Sequence, residues 1–361
     1  MSLNSLTKLL VLLLLPLLFT AVSCNKPTEP PSANSNKIKE YLWTETKLIQ
    51  PQGKGVVPTA IWGSAPDDVW AVGWNTSWQG EIFHYDGNEW KNVTPEIPFN
   101  DIYNDIFGFS KNNIYVAGYS YWIQPNSNIL LSSMILHYDG TNWSINLNDS
   151  TGQGYLNKIH GNSKNNIWAV GGNGAVYNFN GGAWLRKPFP DSLDCHSVFG
   201  MPNNQVYLTY EYNDHQINGL LIEHFGEYVN DMIYTKDTCT ITIKNGEMVG
   251  YKFGYKAMWG VANDRLISVG PWYWKFNGTD WSLIYSTTYP LNDIKGITWN
   301  DIYGVGDHGR IIYFNGSNWT YIGNYGSTIV DFKAVMPFEK AIYILGYYQG
   351  DAWIIKGEVI N

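Results

Sequence analysis

Charge is scarce in this sequence: Asp, Glu, Lys and Arg make up 15% of 361 residues, with 23 Lys+Arg against 31 Asp+Glu. No Lys/Arg cluster or run of like charge occurs, so the basic footprint that a phosphate backbone requires is missing and no nucleic-acid partner is expected. Three cysteines are too few for a disulfide framework. No H-E-x-x-H, C-x-x-C or comparable ligand spacing is present, which predicts neither a metal nor a cofactor. A nucleotide-binding glycine loop needs a helix after its strand, and no helical period follows any glycine cluster. Long apolar runs are absent but for one, "LLVLLLLPLLFTAV" at residues 9 to 22, which is too short to span a bilayer comfortably.

That run follows Lys8, contains Pro16 and ends in small residues before Cys24, the pattern of a signal peptide over residues 1–23. "TAVSC" resembles the lipobox of bacterial lipoproteins, with Ala21 where Leu is commonest. The resemblance implies cleavage before Cys24 and acylation of that residue. Residues 24–40, rich in Pro, Ser and Asn, have almost nothing to bury and read as a flexible tether. Lipid chains on Cys24 then hold the protein to a bacterial envelope membrane, the outer membrane or cell surface, without a transmembrane helix. Cys195 and Cys239 remain; an oxidising compartment permits a bridge between them, and two separate buried thiols are the alternative.

What the sequence has in abundance is aromatics, 16%, and glycine, 36 residues. They recur in a repeat. A glycine, nine residues and another glycine appear at Gly63/Gly73, Gly108/Gly118, Gly161/Gly171, Gly260/Gly270 and Gly296/Gly306, with divergent copies around Gly200 and Gly346. Between the glycines lie a polar turn and a β-prone run, as in "APDDVWAV" and "SKNNIWAV". A third strand then ends in Asp-Gly or Asn-Gly, and tryptophan opens a fourth: Trp90, Trp143, Trp184, Trp281 and Trp319.

Each copy is therefore a four-stranded antiparallel meander that cannot cover both of its faces alone. Seven such copies predict an all-β, seven-bladed β-propeller over residues 41–361. The last copy stops after three strands, and "LWTETKLI" near the N-terminus supplies the missing one, with Trp43 in place of Trp90. Pairing the two ends inside one blade would close the ring.

"WAVG" followed by "DGxxW" resembles the repeats of Asp-box (BNR-type) propellers, especially the photosystem II assembly factor (Ycf48-like) group. Here Asp or Asn stands directly before Gly, a departure from the usual box. The resemblance implies a propeller and leaves the motif as a structural turn, neither a catalytic nor a calcium site. Sialidases of the Asp-box kind use three arginines on inner strands; Arg186, Arg265 and Arg310 fall on an outer strand, an inner turn and a third strand.

Two groups of candidate ligand-binding residues emerge. Trp74, Trp78, Tyr119, Tyr121, Trp122, Trp272, Tyr273, Trp274, Tyr347 and Tyr348 follow the second glycine, in or beside the loop joining strands two and three. Such loops share a face with the blade-to-blade connections, where aromatics can stack on sugars or anchor a protein. Counting back along each inner strand gives a second ring: Thr59, Asn104, Asn157, His196, Lys256, Asn292 and Lys333, with Asp105, Lys158 and Asp293 beside them. These polar groups converge on the channel mouth of that face. Asp105 and Asp293 are the single carboxylate pair at equivalent positions, which is thin ground for a glycosidase.

The expected function is therefore binding, by a monomer, of a glycan or an envelope protein. A scaffold for assembling a membrane or secreted complex is the alternative, and a carbohydrate-active enzyme the less favoured one. Copies four and five depart most. "HFGEY" stands where the turn near Gly226 belongs, and "CTITIKNGEMVGYKFGY" reads as an added hairpin.

Overall fold

The computed structural model describes residues 39–152, 154–212, 221–244, 247–286, 289–324 and 330–360. The signal, Cys24 and most of the tether lie outside these. No helix among the described residues is long and apolar enough to cross a membrane. The chain folds into seven antiparallel sheets in sequence order. Blade one is built from Val56–Ala65, Asp68–Asn75, Gly80–Tyr85 and Trp90–Asn92, and every later blade repeats this meander.

The all-β, seven-bladed propeller read from the sequence is the fold observed. Closure takes the form anticipated: Tyr41–Lys47 pairs antiparallel with Asp351–Val359 as the outermost strand of blade seven. Tyr41 and Tyr303 of blade six share a hydrogen bond of 2.7 Å between their hydroxyls.

The hydrophobic core is divided into seven clusters, each lying between adjacent blades. Trp43, Trp90, Trp143, Trp184, Trp281 and Trp319 pack partly buried against six of them, so the outer tryptophans plug the gaps between blades. Glycine at the first repeat position makes room for an aromatic ring of the preceding blade. A Cβ at Gly108 would meet the Trp62 ring, and one at Gly296 the Trp259 ring.

The Asp/Asn-Gly motif is a turn device. Asp86, Asp139, Asn180, Asn277 and Asn315 each accept two backbone N–H bonds from the residues two and three positions on, at 2.7–3.1 Å. The glycine that follows lies at φ between 92° and 99° in all five, a conformation that side chains resist.

Blade four differs from expectation. Gly226 lies in the middle of the strand Leu221–Val229, and the chain turns at Asn230 and Asp231, both at positive φ. Two consecutive left-handed residues suit a tight hairpin turn, and Asn-Asp tolerates them. The added hairpin is present but shares an arm with the blade: Met232–Lys244 is a long fourth strand whose end pairs with a fifth, Glu247–Val249. Its Asn-Gly turn lies outside the described residues.

Cys195 and Cys239 are separate buried thiols. They occupy the first and fourth strands of the blade, and packing places them in different cores, Cys195 toward blade three and Cys239 toward blade five. Three strand spacings of about 4.8 Å exceed the reach of a disulfide. Burial pushes the Cys239 thiol up to about 11 and holds that of Cys195 far above its ordinary value.

Candidate functional site

The polar ring counted out along the inner strands has a structural identity that the sequence does not display. Thr59, Asn104, Asn157, His196, Asn292 and Lys333 each occupy a register shift between the first and second strands of their blade. They are the extra residues of β-bulges. A bulge turns its side chain out of the ladder, and here most of these side chains reach the next blade.

Thr59 Oγ1 donates to the Tyr103 carbonyl at 3.0 Å, Asn104 Nδ2 to the Leu156 carbonyl at 2.7 Å, and Asn157 Nδ2 to the Cys195 carbonyl at 3.1 Å. Asn292 Nδ2 donates to the Phe332 carbonyl at 2.8 Å. Lys256 Nζ reaches Asn292 Oδ1 at 2.6 Å, and burial lowers the ammonium pKa. Each acceptor carbonyl belongs to the residue just before the next blade's bulge, so one geometry repeats around the ring. Lys333 pairs within its own blade with Asp331, at 3.5 Å.

Asp105 and Asp293 act similarly. Asp105 Oδ2 accepts the Ile159 N–H at 2.9 Å, and Asp293 Oδ2 accepts the Val335 N–H at 3.0 Å, each from the following blade. Lys158 and Lys295 stand 3.8 Å and 3.9 Å from these carboxylates. Burial raises the Asp105 pKa, and Lys158 opposes that shift. All four charged groups line a central cavity of about 240 Å³ to which every blade contributes. The matched histidines of the third strands are likewise tied down: His84 to Asp68 at 2.7 Å, His137 to Asn113 at 2.9 Å.

On the face where the second and third strands connect, a groove of about 350 Å³ separates blades two and three, lined by Asn104, Tyr119, Leu131, Tyr155 and Asn157. The carbonyls that Asn104 and Asn157 contact can only accept, so each amide nitrogen is committed to its junction. Blade two overhangs the groove with its longest hairpin, Asn113–Ile123 and Ile129–Tyr138, whose tip exposes Trp122, Ile123 and Ile129.

The aromatic cluster continues onto blade one. Trp78, at φ 60°, stacks on Trp74 with ring centroids 4.7 Å apart, and Tyr121 Oη donates to the Trp78 carbonyl at 3.0 Å. Trp78 is 56% exposed, so its outer face is open. Trp74, Trp78, Tyr119, Tyr121, Asn104 and Asn157 thus come together, with Trp122 at the rim.

Trp272 and Trp274 do not join them. The turn before them is so short that both already lie on the third strand of blade five, packed against the core shared with blade four. Leu131 and Tyr155 were missed from the sequence. Tyr155 stands two residues before Asn157 and was within reach of the same count; Leu131 carries no local signal.

The architecture defines a seven-bladed β-propeller with a grooved upper face. Among solved structures it is similar in fold to Ycf48 bound to D1 peptide, with TM-score 0.61 and 15% identity over 88% of this chain and 97% of that one. Ycf48 from Cyanidioschyzon merolae gives TM-score 0.58 and 15% identity over 88% and 98%. The WD40 β-propeller domain of Doa1 gives 0.57 and 12% over 88% and 97%. No family model matches the chain, and no curated protein matches it.

Proposed function

We propose that this protein is an envelope lipoprotein, tethered through an acylated Cys24, whose propeller binds an extended segment of another envelope protein in the groove between blades two and three. The observation that carries the reading is the groove itself: apolar walls from Tyr119, Leu131 and Tyr155 over a floor of two carboxamides. No protein hydrogen bond to the amide oxygens of Asn104 and Asn157 occurs among the described residues beyond the junction bonds of their nitrogens. Acceptors beside apolar walls suit a peptide, whose N–H groups need partners while its side chains need cover. That a propeller of like fold has been solved with a peptide bound supports this reading over catalysis. Binding of this kind also serves a scaffold that gathers parts of a complex.

A glycan is the second reading, favoured by the open face of Trp78 and the exposed Trp122. Selection from a displayed-peptide library separates the two. Peptides enriched on the parent protein should lose about tenfold or more in affinity on Leu131→Arg, a loss of about 1.4 kcal/mol. Enrichment indifferent to that change, together with glycan-array binding abolished by Trp78→Ala/Trp122→Ala, would replace the peptide reading with the sugar one.

A further inference from the structure

Blade four breaks the junction pattern. His196 occupies the bulge, yet the bond to blade five comes from the second strand, where Thr209 Oγ1 donates to the Tyr255 carbonyl at 3.0 Å. The imidazole is turned instead toward Glu211 and Glu223, which stand opposite each other on the second and third strands. His196 Nε2 lies 3.0 Å from Glu211 Oε1 and 3.9 Å from Glu223 Oε1. One donor atom from each residue falls within 4.8 Å of the others.

The Glu211 and Glu223 side chains are 7% and 2% exposed, and His196 is 25% exposed. Glu223 Oε2 is buried without a hydrogen-bond partner among the described residues. Nε2 of His196 is within ion-pair distance of Glu211, so Glu223 Oε2 is the ligand atom of the three residues left without a partner. Native folds rarely leave such groups unpaired.

We propose that His196, Glu211 and Glu223 bind a divalent transition cation of the zinc class on the upper face, leaving at least one coordination position open. Bonds of about 2.0–2.2 Å in tetrahedral geometry set ligand atoms about 3.3–3.6 Å apart, between the 3.0 Å and 3.9 Å separations of His196 from the two carboxylates. An ion in that position accepts the Nε2 lone pair of the neutral imidazole and gives Glu223 Oε2 a partner. Two carboxylates and a neutral imidazole balance its charge. The imidazole favours zinc-like ions over calcium and magnesium, which prefer all-oxygen shells. The set is invisible to motif reading because its members come from three strands, 15 and 12 residues apart.

The test is calorimetric titration of the chelator-treated full chain with zinc chloride, with magnesium and calcium in parallel. One equivalent of zinc should bind, with affinity reduced at least tenfold in both Glu223→Gln and His196→Asn, and neither other ion should register at the same concentration. Circular dichroism checks the fold of each variant. Glu223→Gln removes a buried charge, and should it fail to fold, the more exposed His196→Asn carries the test alone. Zinc binding unchanged in the folded variants, or no binding by the parent, overturns the site.

Discussion

His160 lines the channel wall, stacked on Phe199 with ring centroids 4.4 Å apart, and its Nδ1 accepts the Gly200 N–H of blade four at 3.1 Å. Burial, with the Lys295 charge adding to it, pushes its pKa down to about 3. The folded state therefore refuses a proton that the unfolded chain takes up below about pH 6.5. Stability from this residue is complete above about 6.5 and declines as pH falls toward about 3, by on the order of 1 kcal/mol per pH unit. Melting temperature measured from pH 7 to pH 5 should fall in the parent protein and fall less in His160→Asn, which keeps an acceptor near the Nδ1 position. Parallel curves would remove His160 from the account. None of this was legible beforehand: a lone histidine in a β-run shows neither its burial nor the amide it faces.

The repeating element is a hairpin with a bulge, and the bulge decides the fate of the polar ring. A Cβ at Gly73, Gly118, Gly171 or Gly306 would fall on the carbonyl oxygen of Val57, Ile102, Tyr155 or Pro290, just ahead of the bulge, so the second glycine of these four repeats marks that close approach. Asn104→Ala removes the junction bond to Leu156 and should destabilise by about 1 kcal/mol; Asp293→Ala leaves the Val335 amide buried and unpaired and should cost about 1–3 kcal/mol. Denaturant unfolding measures both, and a smaller effect for Asp293→Ala than for Asn104→Ala would contradict the assigned roles. Meander, turn and outer tryptophan were legible because each is written within ten residues. The junction bonds were not, since Asn104 and Leu156 are 52 positions apart and meet only when the ring closes. Blade four is hard to read for a related reason: Gly226 resembles a turn glycine yet lies mid-strand, while the Asn230-Asp231 pair makes the turn.

At the scale of the molecule, closure rests on the strand Tyr41–Lys47. It covers the edge of Asp351–Val359, seats Trp43 against the core between blades six and seven, and ties to blade six through Tyr41 and through Lys39, whose Nζ lies 2.7 Å from Asp301 Oδ2. Removing residues through Lys47 exposes a sheet edge and unplugs that core. Losing the tryptophan contact alone costs about 3–5 kcal/mol, or about 4–7 °C in melting temperature for a domain of this length. Differential scanning calorimetry should register that drop, and the bared edge should promote self-association. An unchanged melting temperature would mean that the ring holds without its clasp.

If one groove on the upper face receives the ligand, amide hydrogen exchange with a selected peptide bound will read its footprint. Protection should concentrate in Asn113–Ile123, Ile129–Tyr138 and the start of Tyr155–Ser163, leaving the opposite face and the outer strands unchanged. Protection confined to the outer strands or to the opposite face would place the ligand outside the groove.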